Sequence, residues 1–175
     1  EGEESGLEAT RDSPRSKPRP RPADLGETSR VPARQIVLEP VSASVYNLPY
    51  ASLLIPCFTQ HYLTGDLTAK LAEWIPGICV AFGWRLEYIS IRPDYMQCII
   101  NVPPVTSPGY LMRILRQHTS ERIFNEFPHF KKDNPSGDFW APGYLIMGSA
   151  APTPVQAIRD FIQQTRQLQG LFPES

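Results

Sequence analysis

Histidine, cysteine and long apolar runs are all scarce in this chain, and each scarcity closes off a class of function. The three cysteines, Cys57, Cys79 and Cys98, are odd in number, and each sits in an apolar run. No disulfide framework is expected, and each reads as a small buried hydrophobe. With three histidines and no Cys-x-x-Cys or Cys/His ligand spacing, no zinc site is expected. No apolar stretch approaches the length that crosses a bilayer, and no basic-then-apolar signal opens the chain. A membrane partner is therefore not expected, and free thiols fit a reducing, cytoplasmic compartment. There is no initiator methionine, so the sequence reads as a cut piece, a processed product or the end of a longer protein.

A surplus of charge is also missing. The chain has 17 Lys and Arg against 18 Asp and Glu, a net charge of −1. From Tyr46 to Ser175 the count is ten against ten. Nucleic-acid affinity rests heavily on cations meeting phosphates, so a neutral fold is atypical of a DNA-binding domain. Cations clustered on one face remain compatible with it.

Proline, by contrast, is plentiful, at 19 residues. Residues 1–44 are rich in Pro, Arg, Glu and Ser and contain no aromatic residue. Such a segment cannot bury enough apolar area to offset its ordering entropy, and it is expected to be a disordered tail or linker. Within it Arg15, Lys17, Arg19 and Arg21 alternate with proline, a pattern that favours an extended form with charges outward. These cations are candidate phosphate contacts; the alternatives are an aromatic groove of a partner or a solubilising spacer. The short run Gln35–Pro40 could dock as an edge strand.

Residues 45–175 are expected to form the folded domain. Tyr50–Cys57 reads as a first strand. His61 and Tyr62 fall in the loop after it, where a lone histidine is expected to be solvated and has no assigned role. Asp66 is placed as the cap of a helix carrying Leu67, Leu71, Trp74, Ile75, Ile78 and Phe82 at helical spacing, kinked at Pro76 and ended by Gly83. Trp84–Ile91 alternates into a second strand, and Arg92-Pro93-Asp94 turns the chain into a third. Ser107 caps the next helix and Pro108 opens it. Leu111, Ile114, Leu115, His118, Ile123 and Phe127 form its buried stripe, with Arg113, Arg116 and Arg122 largely off it. Those arginines read as a solvated face or, alternatively, as phosphate contacts. Pro128–Gly137 reads as a loop bearing Lys131 and Lys132, Phe139–Met147 as the fourth strand, and Ser149–Thr153 as a loop. A last helix follows Pro154, with Val155, Ile158, Phe161, Ile162 and Leu168 on its apolar side. This order gives an α+β, ferredoxin-like fold, a mostly antiparallel four-stranded sheet with helices packed on it.

The third strand, within Pro93–Pro104, organises the rest. Side chains alternate between faces along a strand. Met96, Cys98, Ile100 and Val102 make one apolar face; Tyr95, Gln97, Ile99 and Asn101 make a half-polar one, expected to be wet or to hold a site. Pro-Asp-x-x-x followed by apolar alternation and Pro-Pro resembles the HUH strand of the small single-tyrosine transposases of insertion sequences and their repeat-associated relatives. Ser107–Phe127 resembles that family's next helix, Asp138–Tyr144 its Trp-Ser-x-x-Tyr strand, and Val155–Gln169 its last helix.

The resemblance implies a DNA transposase that acts on single strands and forms edge-to-edge dimers. Its paired histidines hold magnesium or manganese to polarise the scissile phosphate. Its last-helix tyrosine is the nucleophile, and a Gln four residues on helps ligate the metal. Here the histidine positions are Tyr95 and Gln97, the nucleophile position is Phe161, and the Gln position is Thr165, although Gln164 could substitute if the register slips by one. A phenol, with a pKa of roughly 10, is a poor metal ligand near neutral pH. The chain is therefore expected to be an inactive relative with no metal and no catalytic residue, retained as a DNA-binding or regulatory module. Candidate contacts to single-stranded or hairpin DNA are Arg113, Arg116, Arg122, Lys131 and Lys132, with Trp140 and Tyr144 as stacking platforms. The alternatives are a dimerisation module that binds a protein partner, and an active transposase with a substitute nucleophile.

Overall fold

The computed structural model describes residues 45–171. The expected tail, its cations Arg15, Lys17, Arg19 and Arg21, and the candidate edge strand Gln35–Pro40 lie outside the described residues. The elements are β1 (Pro49–Leu54), α1 (Gly65–Ala81), β2 (Arg85–Arg92), β3 (Tyr95–Asn101), α2 (Pro108–Glu126), α3 (Pro128–Asp133), β4 (Leu145–Met147) and α4 (Val155–Leu168). They form one four-stranded antiparallel sheet in the order β2-β3-β1-β4, the ferredoxin-like arrangement. No helix among the described residues is long and apolar enough to cross a membrane.

The local signals explain most of these bounds. Arg92 pairs with Tyr95 across the two-residue Pro93-Asp94 turn, which fixes the register of the β2–β3 hairpin. Pro93 has no N–H to donate, so it sits naturally at a turn and not in a ladder. Gly83, at φ 73°, takes the left-handed position that ends α1, and Trp84 N–H reaches back to the Cys79 carbonyl at 2.8 Å. Ser107 Oγ accepts from Tyr110 N–H at 3.1 Å, with Pro108 opening α2.

Both faces of the sheet are covered. Met96, Cys98, Ile100 and Val102 join Leu67, Leu71, Ile75 and Ile78 of α1 and Leu111, Met112, Leu115 and Ile123 of α2 in the main core. On the opposite face Leu53, Ile55, Ala141 and Ile158 form a smaller cluster, with Tyr95, Leu145, Phe161 and Ile162 packed against it. The half-polar face of β3 is therefore not wet. Gln97 and Asn101 are buried, and Asn101 Nδ2 donates to Asn47 Oδ1 at 2.7 Å and Glu87 Oε1 at 3.2 Å. A bond from Arg85 and, next to it, the one from Asn101 hold the Glu87 carboxyl below its ordinary pKa. Cys79 and Cys98 are fully buried, and burial alone pushes the Cys79 thiol up to about 11, so both are inert.

Five local readings are corrected by the packing. Asp66 does not cap α1: Thr64 precedes the helix, and Asp66 lies in its first turn. Residues 128–133 are helical, because Pro128 can open a turn that Phe130 anchors against the core. The fourth strand shrinks to Leu145–Met147: Pro142 cannot donate, Gly143 is at φ 83°, and before them only a Pro56–Trp140 bridge forms. Val155 and Leu168 are exposed, so α4 packs through a narrower stripe centred on Ile158.

The fifth correction is His61. It is 3% exposed, ringed by Phe58, Phe130 and Phe139 at centroid distances of 5.2, 4.8 and 5.9 Å. Its Nε2 meets Asp133 Oδ2 at 3.2 Å. The short helix α3 supplies both Phe130 and Asp133, so the loop histidine is a buried strut between β1's exit and α3.

Candidate functional site

Two regions hold the candidate residues. The first is the sheet face beneath α4. Gln97 pairs with Leu53 of β1 and Ser90 of β2, so it lies in the row next to Tyr95 on that face. Tyr95 and Phe161 pack against the same apolar cluster. The fold thus brings β3 and α4 together at the positions the sequence singles out. Thr165 is buried, and its hydroxyl donates to the Phe161 carbonyl of its own helix at 2.8 Å. A divalent cation does not fit these residues: the donors on offer are a phenol, an amide and a committed hydroxyl. Among the described residues no three His, Cys, Asp or Glu side chains come together as a ligand set.

Next to this region lies Arg166, which the apolar-stripe reading of α4 passed over. It is 4% exposed. Nη2 donates to the Pro56 carbonyl at 2.8 Å and Nη1 to the Cys57 carbonyl at 3.0 Å. Nη1 also reaches Gln169 Oε1 at 2.8 Å, and Gln169 Nε2 donates to the Cys57 carbonyl at 3.1 Å. Desolvation lowers the pKa of this guanidinium from its ordinary value. Its spacing from Ile162 and Ile158, one turn and two turns up the same face, was the signal that could have flagged it.

The second region is a cleft of about 440 Å³ between α2 and residues 137–144, lined by Arg113, Arg116, Gln117, Ser120, Asp138 and Tyr144, with three glycines. Asp138 organises it. Its Oδ2 accepts from Arg116 Nη2 at 2.6 Å and Nε at 3.2 Å, and its Oδ1 accepts from Trp140 N–H at 3.0 Å and Ser120 Oγ at 3.3 Å. Arg116 Nη1 also donates to the Gly143 carbonyl at 2.6 Å. Arg116 is therefore a clamp on the loop, with its charge neutralised. Arg113 stays exposed, its guanidinium 5.2 Å from the centre of the Tyr110 ring.

The other candidates scatter. Lys131 and Lys132 are exposed on the last turn of α3, and Arg122 is half-buried on α2. Tyr144 is 39% exposed at the cleft. Trp140 is only 1% exposed, and its Nε1 donates to Thr119 Oγ1 at 2.8 Å. It belongs to the core and offers no face to a base. Of the ten cations between Tyr46 and Ser175, Lys70, Arg85 and Arg116 are paired with acids and Arg166 is buried. Arg92, Arg113, Arg122, Lys131, Lys132 and Arg159 have no acidic partner among the described residues.

A family profile described as "Transposase IS200 like" matches residues 44–165. The ISDra2 transposase TnpA of Deinococcus radiodurans is 22% identical over 119 residues, 68% of this chain and 84% of that protein. A crystal structure of a transposase candidate from Deinococcus radiodurans R1 superposes with a TM-score of 0.58 at 22% identity, covering 76% of this chain and 97% of the other. The structure of a REP-associated tyrosine transposase bound to a REP hairpin matches with a TM-score of 0.41 at 12% identity, covering 75% of each chain.

Proposed function

Because the chain belongs to the IS200-like transposase family, we propose that it is a catalytically inactive relative of single-strand DNA transposases, retained as a DNA-binding or regulatory module. One observation carries this reading. By the resemblance of the surrounding motifs, the positions of the paired metal ligands and of the nucleophile fall on Tyr95, Gln97 and Phe161, and Tyr95 and Phe161 help seal an apolar cluster under α4. Phe161 has no oxygen to attack phosphorus, and an amide beside a phenol is a weak donor pair for a hard cation. The test is incubation with hairpin-bearing single strands plus magnesium or manganese. No covalent protein–DNA band is expected. A band that disappears in Tyr95→Phe or Tyr144→Phe reveals a substitute nucleophile and ends the reading.

The second part of the proposal is a homodimer. The outer edge of β2, eight residues long, has no strand partner among the described residues, and exposed edges are hazards that proteins tend to cover. Light scattering at micromolar concentration should return a dimer mass. A monomer at every accessible concentration removes the joined-sheet arrangement.

The neutral charge balance and the Arg116–Asp138 pair favour one alternative, a protein-interaction module that has given up nucleic acid. DNA binding by the full chain separates the two readings.

A further inference from the structure

We propose that the outer face of α2 docks a partner-protein segment in which an acidic residue stands beside an aromatic or aliphatic one. The acid pairs with Arg113, and the apolar side chain lies against the rings of Phe82 and Tyr110. This rests on the protein-interaction reading above and assigns it a surface and a partner chemistry.

The apolar part is a shelf of rings where α1 ends and α2 begins. Phe82, the residue that closes α1, stacks on Trp84 at a centroid distance of 5.1 Å. It meets Tyr110 and His118 edge-on at 6.5 and 5.3 Å. Trp84 is buried beneath, Phe82 and His118 are half-buried, and Tyr110 is 38% exposed. Rings already held edge-to-face offer a partner contact area at little further cost in side-chain freedom. An aromatic surface left partly open beside polar residues marks a site that partners cover. It also lies on the helix layer of the main core, across the sheet from the cluster that holds Tyr95 and Phe161.

Arg113 supplies the charge. It is exposed, and its guanidinium lies 5.2 Å from the centre of the Tyr110 ring. The ring contact stations the guanidinium without neutralising it, so its planar fork of donors stays open to a carboxylate. Arg113 also lines the cleft, so the order across the surface is cleft, Arg113, Tyr110, Phe82. A segment with an acid next to an apolar residue meets this order side chain by side chain. A polyanion fits it less well. Arg116 is tied to Asp138, which leaves one free cation in the lining, whereas a run of phosphates needs several. Glu121 accepts from Gln117 Nε2 at 3.3 Å and adds a carboxylate beside the cleft. The Tyr110 face beneath Arg113 is already taken, so a base stacks there only by displacing the guanidinium.

Selection of a random peptide library displayed on phage tests this, with the full chain and its Arg113→Glu variant as parallel targets. The parent should enrich sequences with Asp or Glu next to an aromatic or aliphatic residue, and the variant should not. In fluorescence anisotropy the enriched peptide should bind Arg113→Ala roughly 10- to 150-fold more weakly than the parent, the worth of a hydrogen bond to a charged group. Arg113→Glu should bind the same peptide with Lys in place of its acid, which the parent refuses; a merely structural arginine gives no such exchange. Tyr110→Phe should bind like the parent and Tyr110→Ala more weakly, with circular dichroism checking that each variant is folded. A dT oligomer should not displace the peptide. If the enriched peptides lack an acid, or bind both Arg113 variants as tightly as the parent, this surface is overturned while the protein-interaction reading stands. Displacement by dT at low salt gives the surface to nucleic acid and overturns the proposal. If no peptide is enriched, the proposal and the protein-interaction reading fall together.

Discussion

Replacing Trp140 by Ala is expected to lower the free energy of unfolding by about 3–5 kcal/mol, the range for deleting a large aromatic side chain from a packed core. Trp140 is 1% exposed and touches the Phe139 ring edge-on at a centroid distance of 5.1 Å. Its Nε1 donates to Thr119 Oγ1, which in turn donates to the Leu115 carbonyl at 2.5 Å. The substitution removes the ring, opens a cavity and leaves the Thr119 hydroxyl oxygen without the donor it accepts from. A domain of this size is stable by only about 5–15 kcal/mol in total, so the variant should be poorly folded at moderate temperature. Trp140→Phe keeps most of the apolar volume and loses the hydrogen bond, for a smaller cost of about 1–2 kcal/mol. Urea unfolding followed by circular dichroism measures both. A loss below about 1 kcal/mol for Trp140→Ala would return this residue to the surface and reopen its role as a stacking platform.

The second large effect is at Arg166. Arg166→Met keeps the apolar stem but leaves the buried Pro56 carbonyl without its donor. The Cys57 carbonyl keeps the Gln169 amide. An orphaned buried acceptor costs about 1–3 kcal/mol, so a loss of about 2–3 kcal/mol is expected. Arg166→Lys should fall between, because a single ammonium cannot serve two carbonyls as a planar fork does. The same urea titration decides it. Equal stability of parent and Arg166→Met would mean that the guanidinium's desolvation cancels its bonds, as happens for some buried charges.

What the sequence made legible was whatever depends on neighbours in the chain. The Arg-Pro-Asp turn, the Ser-Pro helix start and the alternation in β3 are local, and each is where the reading placed it. What it hid depends on residues brought together from afar. His61 is buried only because Phe130 and Phe139, 69 and 78 positions on, close over it. Arg166 looks like an ordinary surface charge until β1's exit is laid beside α4. Trp140 looks like a platform because the alternation around it continues on paper, while Pro142 and Gly143 break the strand in space. At the candidate site the same division holds. The phenol, amide and bare ring at Tyr95, Gln97 and Phe161 are visible in the letters; the cancellation of Arg116 by Asp138 is not.

The bonds from α4 to the strand exit also set an order of events during synthesis. Arg166 reaches the Pro56 carbonyl across 110 positions of chain, and α4 is made after all four strands. Until it emerges, Leu53, Ile55 and Leu145 present a bare apolar face. The hairpin β2–β3 and the helices α1 and α2 can already have closed the other side of the sheet. A nascent chain that has closed only that side carries exposed apolar surface on the other, the kind of surface that aggregates or calls for a chaperone. Truncations that remove α4 should accumulate in that state, whatever their sequence upstream.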